Sequence, residues 1–356
     1  MTGEAIRRLL LAAVLPSFLG GCSNLGYYWQ SVSGQLGIWQ RERPVEEVLA
    51  DPASAPALKE RLARVLEIRA FASRELALPD NGSYRRYADL GRPFAAWNVF
   101  AAPELSVQLL QSCYLFAGCV SYRGYFAKSD ADQYAATLAE EGNDVYVGGV
   151  PAYSTLGWFA DPVLNTFIHY PEPEIARLMF HELAHQVAYA RDDTVFNESF
   201  AVAVEQEGMR RWFAGRPDPQ EREQFERARR IRSEFTALMQ KYRARLDALY
   251  RTRIAPDAMR VRKREAFAEL ESEYRRLREQ WGGYSGYDAW FAETPNNAQL
   301  ASVAVYSQLV PAFESLLARE GGNLSRFYTE VKALAALPKT ERYARLRALL
   351  PGVASI

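Results

Sequence analysis

The sequence predicts an α+β fold in which helices dominate, and three observations carry that reading. Between about residues 84 and 170, short runs rich in β-branched and aromatic residues alternate with turn residues. From Asp218 to Trp281 a long charged stretch spaces its apolar residues three and four apart, as an antiparallel helical hairpin does. At 356 residues and 49% hydrophobic, the chain can bury a full core, as one large domain or two modest ones.

The first residues stand apart from that core. "MTGEAIRRLLLAAVLPSFLGGCSN" sets Arg7 and Arg8 before an apolar run from Leu9 to Leu19, the pattern of a secretory signal too short to span a bilayer stably. Its end, Leu19-Gly20-Gly21-Cys22, resembles a bacterial lipobox, so residues 1–21 are expected to be removed and Cys22 lipidated. Ser23 after that cysteine favours the outer membrane, and several acyl chains would hold a periplasmic domain there stably. Cys113 and Cys119 would then meet an oxidising compartment, where "CYLFAGC" suits a short disulfide-closed loop.

The mature chain, residues 22–356, follows in order. "LGYYWQSVSGQLGIWQ" reads as an amphipathic helix, and a second helix is expected near Ala55 to Ala77. "WNVFAAP", "CVSYRGYF" and "NDVYVGGV" read as strands; between the last two, "SDADQYAATLAEEG" reads as a helix with a serine N-cap. "PAYSTLGWFADP" is expected to be extended and to end in a turn. Pro171 and Pro173 open a helix expected to run through "EPEIARLMFHELAHQVAYA", with its successor starting near Asn197, so the two occupy about residues 172–214. The hairpin takes 218–281, and C-terminal helices fill 294–350.

Charge narrows the partners. With 43 basic and 43 acidic residues there is no basic excess for nucleic acid and no acidic tail; a protein partner is left open, and the long hairpin would suit one.

The chemistry concentrates in "HELAHQVAYARDDTVFNESF", residues 181–200. On a helix, His181 and His185 lie one turn apart on one face and can reach a single ion, and Glu182 sits about 100° round, where it can address a water. That is H-E-x-x-H: two zinc ligands and a general base. A catalytic zinc needs a third protein ligand and an open position. The third histidine of the chain, His169, precedes the helix and would point away, so a carboxylate is required. Glu198, 13 positions after His185, is preferred; Glu205 is its rival, seven positions further along the same face. Asp192 and Asp193 either accept from a histidine N–H or belong to a solvated turn.

His181-Glu182-x-x-His185 followed by Asn197-Glu198 resembles the gluzincin metallopeptidases, although that clan usually separates its second histidine and glutamate by roughly 18 or more residues. Over nearly the whole mature chain, "LGYYWQSVSGQL", "SYRGYF", "AYSTLGWFADPVL", "FHELAHQ" with "FNESFA", and "TPNNAQL" with "VAVYSQLVPAF" are similar to a bacterial family of predicted zinc aminopeptidases. The resemblance implies a zincin-like catalytic core, bound Zn2+ and a peptide substrate. Glu182 would take the proton of the attacking water, with Tyr153, Arg123 or Tyr306 stabilising the oxyanion. Tyr153 to Gly157 would form the substrate-facing wall, and Glu205, Asp161 or Glu293 would hold a substrate amine. Two alternatives share the sequence: a non-catalytic envelope lipoprotein serving as a scaffold, and a zinc amidase acting on cell-wall peptides. The presence of Glu182 favours an enzyme, since a structural zinc site needs no general base.

Overall fold

The computed structural model describes residues 22–114, 118–216, 218–304 and 308–350; the expected signal, residues 1–21, lies outside the described residues. Helix α1 (Cys22–Trp39) is followed by β1 (Arg43–Pro44), α2 (Val45–Ala50) and α3 (Pro56–Leu76). Five short strands come next: β2 (Arg86–Ala88), β3 (Ala96–Pro103), β4 (Ser112–Tyr114), β5 (Gly118–Val120) and β6 (Arg123–Tyr125). Helix α4 (Lys128–Glu140), β7 (Asn143–Val150) and β8 (Val163–Leu164) complete this part. The rest is helical: α5 (Glu172–His185), α6 (Thr194–Ala214), α7 (Pro219–Tyr250), α8 (Pro256–Gln280), α9 (Asn297–Ala304), α10 (Val310–Arg319), α11 (Leu324–Ala335) and α12 (Lys339–Arg347). The fold is thus α+β and helix-dominated, with small mixed sheets, as the sequence predicts.

The sheet that matters for the site has the order β6-β3-β7, all antiparallel. β3 is buried along almost its whole length, which suits its β-branched and aromatic residues. Alternation splits its side chains between two layers. Trp97, Val99 and Ala101 pack with residues of α4, while Phe100 and Ala102 meet Ala298 of α9 on the other side. β7 is an edge strand. The expected serine N-cap of α4 is not found: Ala127 occupies the N-cap without a side-chain cap, and Ser129 lies inside the first turn against Asp130.

The hairpin α7–α8 has its own apolar core, centred on Phe235, Leu238, Leu270 and Tyr274. Its charged faces pair across the hairpin, Lys241 with Glu273 at 2.7 Å and Arg245 with Glu269. Lys263 fixes it to the sheet, donating to Asp144 at 2.7 Å and to the Glu104 carbonyl.

The main core gathers α3, α5, α6, α10 and α11. Here α6 packs against α5 at Gly208, which presents no side chain: a Cβ there would come within 2.7 Å of the Phe180 ring and 2.9 Å of Leu76. Phe180 and Leu76 are themselves fully buried and have nowhere to retreat. Gly208→Ala is therefore expected to cost about 1–3 kcal/mol of stability, read as a lower urea midpoint at unchanged slope.

Candidate metal centre

Pro171, with its fixed φ, sits at the N-cap of α5, and Pro173 falls in the first turn, where its missing N–H costs no hydrogen bond. The helix then carries His181 and His185 into the interior one turn apart, their ring centres 4.9 Å apart and nearly perpendicular. It stops at His185 instead of running on through Ala190, which corrects the sequence expectation. The reason lies in the next helix. Asn197 accepts from the Ala190 N–H at 2.7 Å and donates to its carbonyl at 2.9 Å, so one side chain satisfies both polar groups of that peptide and closes the loop.

Helix α6 also begins earlier than predicted, at Thr194, because Asp193 caps it by accepting from Phe196 N–H. Asp193 is completely buried and is held by Arg342 at 2.6 Å and by the Tyr343 hydroxyl at 3.0 Å. Asp192, at φ 64°, accepts from the Cys119 N–H at 2.6 Å. Neither aspartate serves a histidine, and Asp193 is not part of a solvated turn either, since it is buried. The Cys113–Cys119 disulfide closes the β4–β5 hairpin, and Gly118 in it lies so close to Asp192 that a Cβ would fall 2.3 Å from its Oδ1.

The closed loop brings Glu198, one turn into α6, against both imidazoles. Its Oε2 lies 3.3 Å from His181 Nε2 and 3.7 Å from His185 Nε2. All three side chains are buried, and their ligand atoms lie within 4.8 Å of one another. Two imidazole nitrogens and a carboxylate oxygen are a donor set that suits zinc and related divalent ions. The residues present therefore fit a metal.

Glu205 has a different place from its rival. Its Oε2 lies 3.1 Å from the other ring nitrogen of His181, Nδ1, and 3.0 Å from Arg177. Arg177 in turn bonds Glu174, and Glu174 accepts from Arg232 of the hairpin. One face of α6 thus offers two carboxylates to one imidazole: Glu198 on the metal side and Glu205 behind it, where it orients the ring.

Without a metal, burial lowers the basicity of His181, but its bonds to Glu198 and Glu205 outweigh that and raise its pKa to about 10. Burial lowers that of His185 to about 4. Burial likewise raises Glu182 to about 7. For Glu205 the upward push of burial loses to Arg177 and His181, leaving it at about 2, and Glu198 is also lowered.

The cluster opens on a cavity of about 1960 Å³ that Glu182 also lines. Tyr153, Ser154 and Leu156 border it, as do Gly148 to Val150 of the edge strand β7. The Tyr153 hydroxyl, however, donates to Gln35 at 2.6 Å. Arg123 turns to the α4 side of its strand, its guanidinium 4.2 Å from the Tyr27 ring centre and 4.7 Å from that of Tyr134. Tyr306 lies outside the described residues. Asp161 accepts from Thr155 N–H and Gln186, Glu293 is exposed, and His169 is exposed before α5.

Three residues went unread in the sequence. Tyr122 and Tyr189 line the cavity beside Glu198, whose charge, after burial, raises both phenols' pKa values. Arg177 stands four residues before His181, an interval that shares a helix face and could have flagged it.

A family model described as "Putative aminopeptidase" matches residues 26–346. No curated protein and no solved structure matches the chain.

Two predictions follow from the charge state of this cluster. A divalent ion needs His181 neutral, yet His181 is protonated well above neutrality while His185 and Glu198 are already free of protons. Metal uptake at pH 8 is thus expected to release about one proton per ion, with affinity falling about tenfold per unit as pH drops. Calorimetry in buffers of different ionisation enthalpy measures this, and zero release would refute the charge assignment. Glu205→Gln is expected to weaken metal binding about 10–100-fold in chelator competition while leaving the saturating stoichiometry intact.

Proposed function

The chain belongs to this aminopeptidase family, and from that premise we propose that it is a zinc-dependent metallopeptidase releasing amino-terminal residues from peptides in the periplasm. The observation that carries the reading is the buried convergence of His181, His185 and Glu198 beside Glu182 at a large cavity.

His181, His185 and Glu198 would hold the ion. When bound, zinc supplies Lewis-acid chemistry, acidifying a water and polarising the scissile carbonyl. Glu182 carries the proton traffic: its carboxylate accepts a proton from the attacking water and returns it to the departing amine nitrogen. In the metal-free site burial raises its pKa to about 7, and the charge of a bound ion would draw it down toward the carboxylate form that accepts the proton. Tyr122 and Tyr189 replace Tyr153 and Arg123 as the groups best placed to donate to a developing oxyanion, since they share the cavity with Glu198. β7 offers a free edge along that cavity, so an extended peptide can add to it as a strand and lie across the metal ligands. The sequence of residues 1–22 supports a lipid anchor at Cys22 and location at the outer membrane.

The test separates metal from base. Purified protein should contain about one zinc and lose it on His185→Ala. Glu182→Gln should keep the metal and lose at least about 10²-fold in kcat on aminoacyl arylamides. Equal hydrolysis by Glu182→Gln and the native chain would defeat the mechanism, and cleavage confined to internally quenched peptides would assign endopeptidase action instead.

A further inference from the structure

Helix α1 presents an apolar face to solvent: Trp29 is 73% exposed, Val32 55% and Leu36 45%. At 100° per residue these three fall within about 60° of arc, opposite Tyr27, Gly34 and Ile38, which turn to the protein. Gly34 there lets the helix lie directly on Phe126. None of the 18 residues of α1 is charged, in a chain that is 24% charged. The face continues past the helix end, where Trp39 meets Phe159 with ring centres 4.7 Å apart; Phe159 is 49% exposed and its neighbour Trp158 72%. Scattered apolar side chains on a surface are ordinary, but a strip of this kind marks an interaction site.

We propose that this face docks on a phospholipid bilayer, with α1 lying in the plane of the membrane interface. The proposal rests on the reading of Cys22 as the lipid-bearing residue: α1 starts at that residue, so acyl chains there would hold the whole helix, about 27 Å long, at the bilayer surface. Tryptophan is the side chain that best suits this interface, and the strip carries one at each end. No helix among the described residues is long and apolar enough to cross a membrane, so α1 lies on the bilayer and does not span it. A charge-free face binds by burying apolar area, so attachment does not depend on anionic lipid or low salt. The opposite face of α1 contributes Tyr27 and Ser31 to the cavity, so docking holds one wall of the catalytic cavity against the membrane.

The test uses the full chain, produced with its acyl chains and reconstituted into phosphatidylethanolamine–phosphatidylglycerol vesicles with brominated acyl tails. Bromine is expected to quench the tryptophan fluorescence, and Trp29→Phe with Trp158→Phe to remove at least about half of that quenching. The lipid-free Cys22→Ser chain is expected to sediment with the same vesicles, about equally in 0.1 M and 0.5 M NaCl. Trp29→Glu with Leu36→Glu should weaken that binding at least about tenfold, with hydrolysis of a soluble peptide unchanged as the control for folding. Acylation at Cys22 without the tryptophan-specific quenching would overturn the docking and leave the anchor standing. A wild-type chain recovered from the cell without an acyl group on Cys22 that still binds vesicles would do the reverse. A Cys22→Ser chain that ignores vesicles but dimerises through Trp29 and Leu36 would also overturn the proposal, assigning the face to a second copy.

Discussion

The close packing of α5 on α6 is the contact from which the site is built. Each helix offers side chains to the same small volume, His181, Glu182 and His185 from one and Glu198 and Glu205 from the other, and all are buried. Ligand atoms from two helices can lie within 4.8 Å of one another only if the backbones approach closely, and Gly208 against Phe180 permits that approach. The apolar core of α3, α10 and α11 around the pair supplies the driving force, since burying this many ionisable groups is unfavourable by itself.

That cost is offset by pairing. A buried charge is tolerable when each partner is satisfied, and the cluster forms a continuous chain from His181 through Glu205, Arg177 and Glu174 to Arg232. The hairpin α7–α8 thereby does more than cover surface: Arg232 on it completes the network behind His181. A second network, Asp193 with Arg342 and Tyr343, ties the start of α6 to α12, so the last helix among the described residues helps set the position of Glu198. The disulfide hairpin adds a third restraint through Asp192.

Much of this was legible in residue order. The H-E-x-x-H spacing, the absence of a further histidine, and Asn197-Glu198 together identify the donor types, because helical periodicity alone places side chains four apart on one face. The hairpin was equally readable from its three- and four-residue apolar intervals. The loop between His185 and Glu198 was misjudged in both directions, with α5 drawn too long and α6 too short. Its resolution depends on Asn197 folding back onto Ala190, and a side chain's choice between solvent and a backbone peptide leaves no mark on composition or periodicity. Tyr122, next to the candidate Arg123, went unread for the same kind of reason: alternation says that neighbours face opposite ways but not which faces the cavity.

The sequence by itself determined the helix-dominated α+β class, the residue types of the candidate metal site and the helix that carries two of them, since these follow from local spacing and chirality. Only the tertiary structure decided the division of labour between Glu198 and Glu205. Both lie on one face of α6, two turns apart, so helical periodicity, which favoured Glu198 as the ligand only through its shorter distance from His185, gave Glu205 no role of its own. What distinguishes them is which nitrogen of His181 each one meets, and the packing of two helices across Gly208 sets that.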